Sequence, residues 1–249
     1  LRRWILTDAA SSGSGLQPLA LALNKRLADD AGKSNKNLVF SPLSIYAALS
    51  LVAAGARERT LAEMLGVLGA RSRDDLAGSV RALAEQALAD QSWAGGPHVS
   101  FDRDGLSQLS DRIAADPDFL REHLPTSTVL VGDFRLPKFK LAFDTELTGV
   151  LQDLGLKDAF DPGKADFTDM AEGTFRPLAL EEVLHKAVIE VNEEGTEAAA
   201  VTAALMFGCA SDYPPQCVDF VADHPFAFFV MEEASGAIMF AGHVLDPSS

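Results

Sequence analysis

Two cysteines, Cys209 and Cys217, and five histidines, His98, His123, His185, His224 and His243, are the residues best suited to nucleophilic or metal chemistry. The cysteines form no CxxC pair, and no histidine stands at zinc-ligand spacing from a cysteine or another histidine. Neither a metal nor a cofactor is expected, and with only two cysteines there is no disulfide framework. A thiol hydrolase would need Cys209 beside a base such as His224 or His243. Nothing else in the chain supplies the local signature of such an enzyme, so the expectation is that the protein is not one. His185 and His224 read instead as hydrogen-bonding groups of the core or of strand ends, and Asn192, Glu193 and Glu194 as solvated charge where a strand stops.

Cys209 sits in an unusual stretch, "EVNEEGTEAAAVTAALMFGCASDYPPQ", residues 190–216. It opens as an acidic strand, becomes a run of small residues and ends in prolines. Two readings fit residues 193–204. Alanine favours helix, so a short surface helix is the simpler one. Small side chains also suit a segment that is exposed in one state and slips between two strands in another, with Gly195 as the hinge. On that reading "LMFGCASDY" is an exposed loop tip, the preferred place for proteolytic nicking, and Pro214-Pro215 stiffen its exit.

The elements around this stretch follow from periodicity. Leu16, Leu19, Leu23 and Leu27 predict an amphipathic helix with Pro18 in its first turn, followed by a strand at "NLVF". "SPLSIYAALSLVAAGA" places Ser41 at an N-cap and Pro42 at the first helical position, with Ile45, Ala48, Leu49 and Val52 as a buried face. Thr60 and Glu63 read as a capping box opening a third helix through Leu61, Met64, Leu65 and Leu68. A fourth helix carries Leu76, Val80, Leu83 and Ala87. Two short helices break near Asp116-Pro117. Thr128 to Phe143 is strand-like with Pro137 at an edge or bend, and Leu147, Val150, Leu151 and Leu154 form a helix ending at Gly155. "HKAVIEVNEE" alternates again, and two or three apolar strands joined by a Glu-Ala-Ser-Gly turn close the chain. Helices first and antiparallel strands last predict an α+β fold.

The chain of 249 residues, 47% hydrophobic, can build a real core. A formal charge of −15 and a pI near 4.6 disfavour nucleic acid and anionic membrane surfaces as partners. No apolar run reaches the roughly 18 residues of a membrane span. "LRRWILTDAA" lacks the apolar core of a secretion signal. The chain starts at Leu1 rather than Met, so its N-terminus reads as incomplete. Localisation is expected to be cytoplasmic or extracellular, the missing signal favouring the first.

Four segments in order, "NLVFSPLSIYAALSLVAAGA", "VGDFRLPKFKLAF", "HKAVIEVNEEGTEAAA" and "FVADHPFAFF…GAIMFAGHVLDP", resemble serpins, and specifically the plant serpins (Z-type). Ala227 departs from the bulkier residue usual after the "DHPF" phenylalanine. The resemblance implies a serpin fold over residues 1–249 with a reactive-centre loop at about 193–217. That loop offers a bait bond to a serine or cysteine protease and inserts as a new central strand after cleavage. The hinge falls on Gly195, Thr196, Glu197, Ala198, Ala199 and Ala200. Counting from Gly195 and back from Phe220 both place the bait residue at Cys209, with the bond running to Ala210. A bait of that size suits a small or medium apolar protease pocket, elastase-like or subtilisin-like. On the competing reading Cys209 is a spectator and the flanking Met206, Phe207 and Gly208 region sets cleavage.

The resemblance also exposes a gap. Near Phe101 the family's long middle block, with further main-sheet strands and its Asn-Ala-x-Tyr-Phe-Lys-Gly-x-Trp segment, is absent. A loop inserted beside one strand instead of two leaves backbone groups unpaired and loses packing. Three outcomes follow: a protease substrate of the inhibitor class that no longer inhibits, a working inhibitor of serine or cysteine proteases that uses Cys209-Ala210 as its bait bond, or a binding or structural protein. Self-association through an uncovered sheet edge is expected in any of them.

Overall fold

The computed structural model describes residues 15–34, 36–87, 106–116, 119–123, 130–170, 178–192, 217–232 and 235–248. Helix α1 (Leu16–Ser34) buries Leu16, Leu19, Leu23 and Leu27 on one stripe, and Pro18 sits in its first turn, where no intrahelical N–H is required. Strand β1 (Leu38–Phe40) is buried at all three positions. Ser41 then caps α2 (Pro42–Ala54), its Oγ accepting the Ser44 N–H at 3.3 Å. The inner face of α2 carries Ile45, Tyr46, Leu49 and Ala53. This stripe is centred nearer Leu49 than Ile45, which turns Ala48 to solvent and leaves Val52 half-buried.

The capping box expected at Thr60 and Glu63 does not form. Helix α3 (Glu58–Val67) starts earlier, with Arg57 as an N-cap whose side chain does not cap the helix but pairs with Asp169, so both residues lie inside the helix. They are used laterally instead. Thr60 Oγ1 accepts the Asp166 N–H at 3.0 Å, and Glu63 Oε2 accepts the N–H groups of Lys157 and Asp158 at 2.8 and 2.7 Å. A short 3₁₀ turn, Asp158–Phe160, is thereby tied to α3. Helix α4 (Arg73–Ala87) buries Leu76 and Leu83, and α5 (Leu106–Ala115) and α6 (Phe119–Glu122) are the two short helices expected either side of the Asp116-Pro117 break.

Strands β2 (Leu130–Arg135) and β3 (Phe139–Glu146) flank the bend at Pro137. Helix α7 (Thr148–Asp153) follows, and Gly155 beyond it takes φ +113°, open to glycine and strained for other residues. The remaining strands are β4 (Leu184–Val191), β5 (Cys217–Val221), β6 (Phe226–Met231) and β7 (Ile238–Val244).

Among the described residues the strands make three sheets: β1-β7-β6 and β3-β4, both antiparallel, and β2-β5, which is parallel. The α+β expectation holds, but the all-antiparallel one does not. β3, α7 and β4 lie between β2 and β5 in the chain, and a parallel pair needs just such a long crossover.

The β1-β7-β6 sheet is covered on both sides. Leu38, Phe40, Ala227, Phe229, Ile238 and Ala241 join the core made with the helices. Val39, Phe226, Phe228 and Val244 pack instead with Phe139 and Leu141 of β3 and Ala187 of β4. A sheet buried on both faces needs apolar residues in succession rather than in alternation, as "FAFF" at 226–229 supplies. Gly242 is the tight point: a Cβ there would lie 2.3 Å from the Leu38 carbonyl oxygen and 2.5 Å from the Phe228 ring. Replacing Gly242 with alanine is expected to destabilise the fold by at least about 1–3 kcal/mol through overpacking, read as a lower urea midpoint.

Candidate functional site

The site residues named from the sequence lie between β4 and β5. Gly195, Thr196, Glu197, Ala198, Ala199, Ala200, Met206, Phe207, Gly208, Cys209 and Ala210 all fall outside the described residues, as does Phe101. The structure describes the two strands that hold the ends of that stretch.

The leading strand, β4, pairs with β3 through eight residues, from Phe139 opposite Val191 to Glu146 opposite Leu184. Alternation divides the ladder cleanly. Phe139, Leu141, Ala187 and His185 face inward, with Phe143 and Ile189 half-buried beside them. The outer face carries the cross-strand ion pairs Lys140–Glu190 at 2.8 Å and Lys186–Asp144 at 3.3 Å. Beside these pairs Leu184 and Val188 are 69% and 48% exposed. Among the described residues no strand pairs with the other edge of β4.

The start of β4 is pinned from below. His185 is 8% exposed, and its Nε2 accepts the Ser41 N–H at 3.1 Å, which places the ring proton on Nδ1. Burial lowers the His185 pKa, so the ring is neutral and free to accept. The N-cap of α2 and the start of β4 are thus joined by one bond, as the sequence reading of His185 anticipated in kind.

The trailing strand, β5, lies parallel to β2, with Cys217 opposite Leu130 and Val221 opposite Arg135. Asp219 accepts the Asp133 N–H at 2.9 Å, the Ala222 N–H bonds to the Arg135 carbonyl at 2.8 Å, and Phe220 stacks on Phe134 at 5.1 Å. Asp219 carries no weight in the sequence analysis, although its place in the alternating "CVDFV" marks it as an outward polar group at a strand centre.

Two further histidines are described near the chain's end. His224 is exposed and its Nδ1 meets the Asp223 carboxylate at 2.6 Å. His243 is buried in β7, with Nε2 unpartnered. Among the described residues no cluster of His, Cys, Asp and Glu suits a metal ion, and no helix is long and apolar enough to cross a membrane.

The serpin (serine protease inhibitor) family pattern matches residues 14–95 and 97–247. The chain belongs to the serpin family, whose members are known as protease inhibitors. Rice (Oryza sativa subsp. japonica) Serpin-Z2A is 33% identical to it over 424 aligned residues, covering 98% of this chain and 99% of the rice protein. Wheat (Triticum aestivum) Serpin-Z1C is 45% identical over 144 residues, which cover 57% of this chain and 36% of the wheat one. Arabidopsis AtSerpin1, in its native stressed conformation, superposes with a TM-score of 0.75 at 23% identity, covering 98% of this chain and 100% of that one. The likeness to AtSerpin1 is one of fold. Among serpins, then, this chain resembles the plant Z-type members. The rice alignment is longer than the 249 residues of this serpin, so the rice protein carries residues without a counterpart here.

The two buried histidines make the serpin's stability pH-dependent above the carboxylate range. Burial holds His243 at about 4 and lowers His185. Both pKa values lie below the unfolded value near 6.5, so the folded state resists protonation, and stability present above pH 6.5 is lost as pH falls toward the folded pKa. His243 alone is expected to remove about 2 kcal/mol between pH 6.5 and pH 5, and His185 adds in the same direction. Urea unfolding across that interval checks this, with His243→Gln expected to flatten the dependence to the His185 share.

Proposed function

We propose that this serpin presents residues 193–217 as a loop that a protease cleaves at Cys209-Ala210 without being trapped. It acts as a substrate of the inhibitor class, not as a catalyst. The observation that carries this reading is the length of the rice alignment, 424 positions, against a chain of 249 residues. The family match is interrupted at residue 96, and we place the lost middle block at that junction, close to Phe101.

The physical consequence concerns β4. A loop that inserts after cleavage gains its energy by pairing on both sides and burying its small side chains. β3 already occupies one edge of β4, so an inserted strand meets β4 along one side, and the block that supplied its other neighbour is gone. Each backbone group left buried and unpaired costs about 1–3 kcal/mol, enough over a few residues to cancel insertion. The exposed Leu184 and Val188 of β4, whose second edge pairs with no strand among the described residues, favour association with other chains over closure. A working inhibitor is the second reading, favoured by the small-residue run from Gly195 to Ala200, which keeps the hinge pattern.

Incubation with elastase-like, subtilisin-like and trypsin-like serine proteases, read on denaturing gels with mass spectrometry of the released peptide, separates the two. The expected result is one cut at Cys209-Ala210 by an enzyme with a small apolar pocket, with the protease still active. A protease–serpin band that survives boiling in detergent would overturn the substrate reading, and a cut at Met206 or Phe207 would overturn the bait assignment.

A further inference from the structure

One edge of β4 pairs with β3 over eight residues, and among the described residues no strand pairs with the other. An open edge is a row of backbone donors and acceptors able to take up a further strand. Which strand it takes up depends on the side chains that flank it. On the outer face these are Leu184, Lys186, Val188 and Glu190, all exposed. On the inner face Ile189 and Val191 are half-buried, so both faces keep apolar area that an added strand would cover.

The order of these residues suits a second copy of the same strand. Two copies related by a two-fold axis perpendicular to the sheet run antiparallel and set outer face beside outer face. Centring the pair on Lys186 or on Glu190 would oppose like charges, and centring it on Ala187 or Ile189 would oppose a charge to an apolar side chain. Centring it on Val188 opposes each Lys186 to the partner's Glu190, with Val188 against its own counterpart. Within one chain Glu190 already pairs with Lys140, and Lys186 with Asp144. Across the joined sheet one row then runs Lys140, Glu190, the partner's Lys186, the partner's Asp144, alternating in sign throughout. Beneath it Ile189 lies opposite the partner's Ala187. A net charge of −15 per chain works against any self-association, which makes the dimer reversible and leaves its register to this local complementarity.

We propose that the second edge of β4 joins the same edge of a second copy, giving a two-fold dimer with Val188 on the axis and a β3-β4-β4-β3 sheet running across it. The assembly closes at two chains, because each has used the edge it offers. The pairing belongs to the uncut chain and does not depend on which bond a protease cuts, so its failure would leave the cleavage reading standing, and a different cut would leave the pairing standing.

The test is sedimentation velocity of the full, uncut chain over a dilution series. A 26.5 kDa monomer is expected in exchange with a species of twice that mass and nothing larger. Lys186→Glu and Glu190→Lys each set like charges opposite one another twice per dimer, and each is expected to weaken dimerisation about 10-fold or more. An equal mixture of the two variants opposes every reversed charge to a complementary one, and is expected to recover the dimer. Val188→Lys sets two lysines together on the axis and is expected to leave only monomer. All three positions are exposed, so the variants should keep the wild-type urea midpoint. Monomer at every concentration, the result expected if the chain closes this edge with its own residues, would overturn the proposal. So would growth beyond the dimer, single variants that dimerise like the wild type, or a mixture that stays monomeric.

Discussion

Burial of the β1-β7-β6 sheet on both faces is the constraint from which the rest of this structure follows. The sheet accepts helices on one side and β3-β4 on the other, which requires that β7 approach β1 closely enough to leave no room at residue 242. With Gly242 against the Leu38 carbonyl and the Phe228 ring, Phe228 can turn toward β3 while Phe229 turns toward the helices. Apolar burial at about 25 cal/mol per Å² makes such a two-sided core the chief source of stability. The surface ion pairs around it contribute much less.

That core fixes the strand, β4, that precedes residues 193–216. β4 is held in three ways: by its ladder to β3, by Ala187 packed on the sheet below, and by the His185 ring against the N-cap of α2. The far end is held separately, by the parallel pairing of β5 with β2 and the stacked Phe134 and Phe220. Under the proposed function both ends of the loop must sit on a stable frame so that a protease meets the bait in one geometry, and the strands on either side of residues 193–216 are both paired. Trapping needs more than anchors, because the driving force comes from the strands that receive the loop. Under the proposed function the chain keeps the first requirement and lacks the second.

Much of this was legible in the sequence where a local rule and the tertiary need agree. Ser41 and Pro42 open α2 because a hydroxyl cap and a proline at the first helical position serve that helix end whatever lies nearby. The inward set of β3 and β4 follows from alternation alone, since one face had to be buried. Thr60 and Glu63 misled because their spacing fits a cap equally well as it fits two side chains on one face of a helix, and the competing use, holding the backbone of 157–166, involves residues about a hundred positions away. The parallel β2-β5 pair was hidden for the same reason: pairing direction is set by a crossover, not by the strands' own residues. His243 was weighed only as a metal ligand or a partner for Cys209, because nothing in "AGHVL" tells that its ring is buried with one nitrogen unpaired. The hinge and bait assignments rest on family resemblance and not on periodicity, since a run of alanines fits a helix as well as it fits an inserting strand, and they lie outside the described residues.

Thermal unfolding of the intact chain beside the same chain cut at residues 209–210 tests the central claim most directly. Insertion of the cleaved loop beside β4 would add a paired strand and raise the melting temperature, at roughly 2–4 °C per kcal/mol for a domain of this size. With no second strand to receive it, the cut loop should leave the melting temperature unchanged or slightly lower. A rise of more than about 10 °C on cleavage would mean that the loop does insert, and would contradict the account.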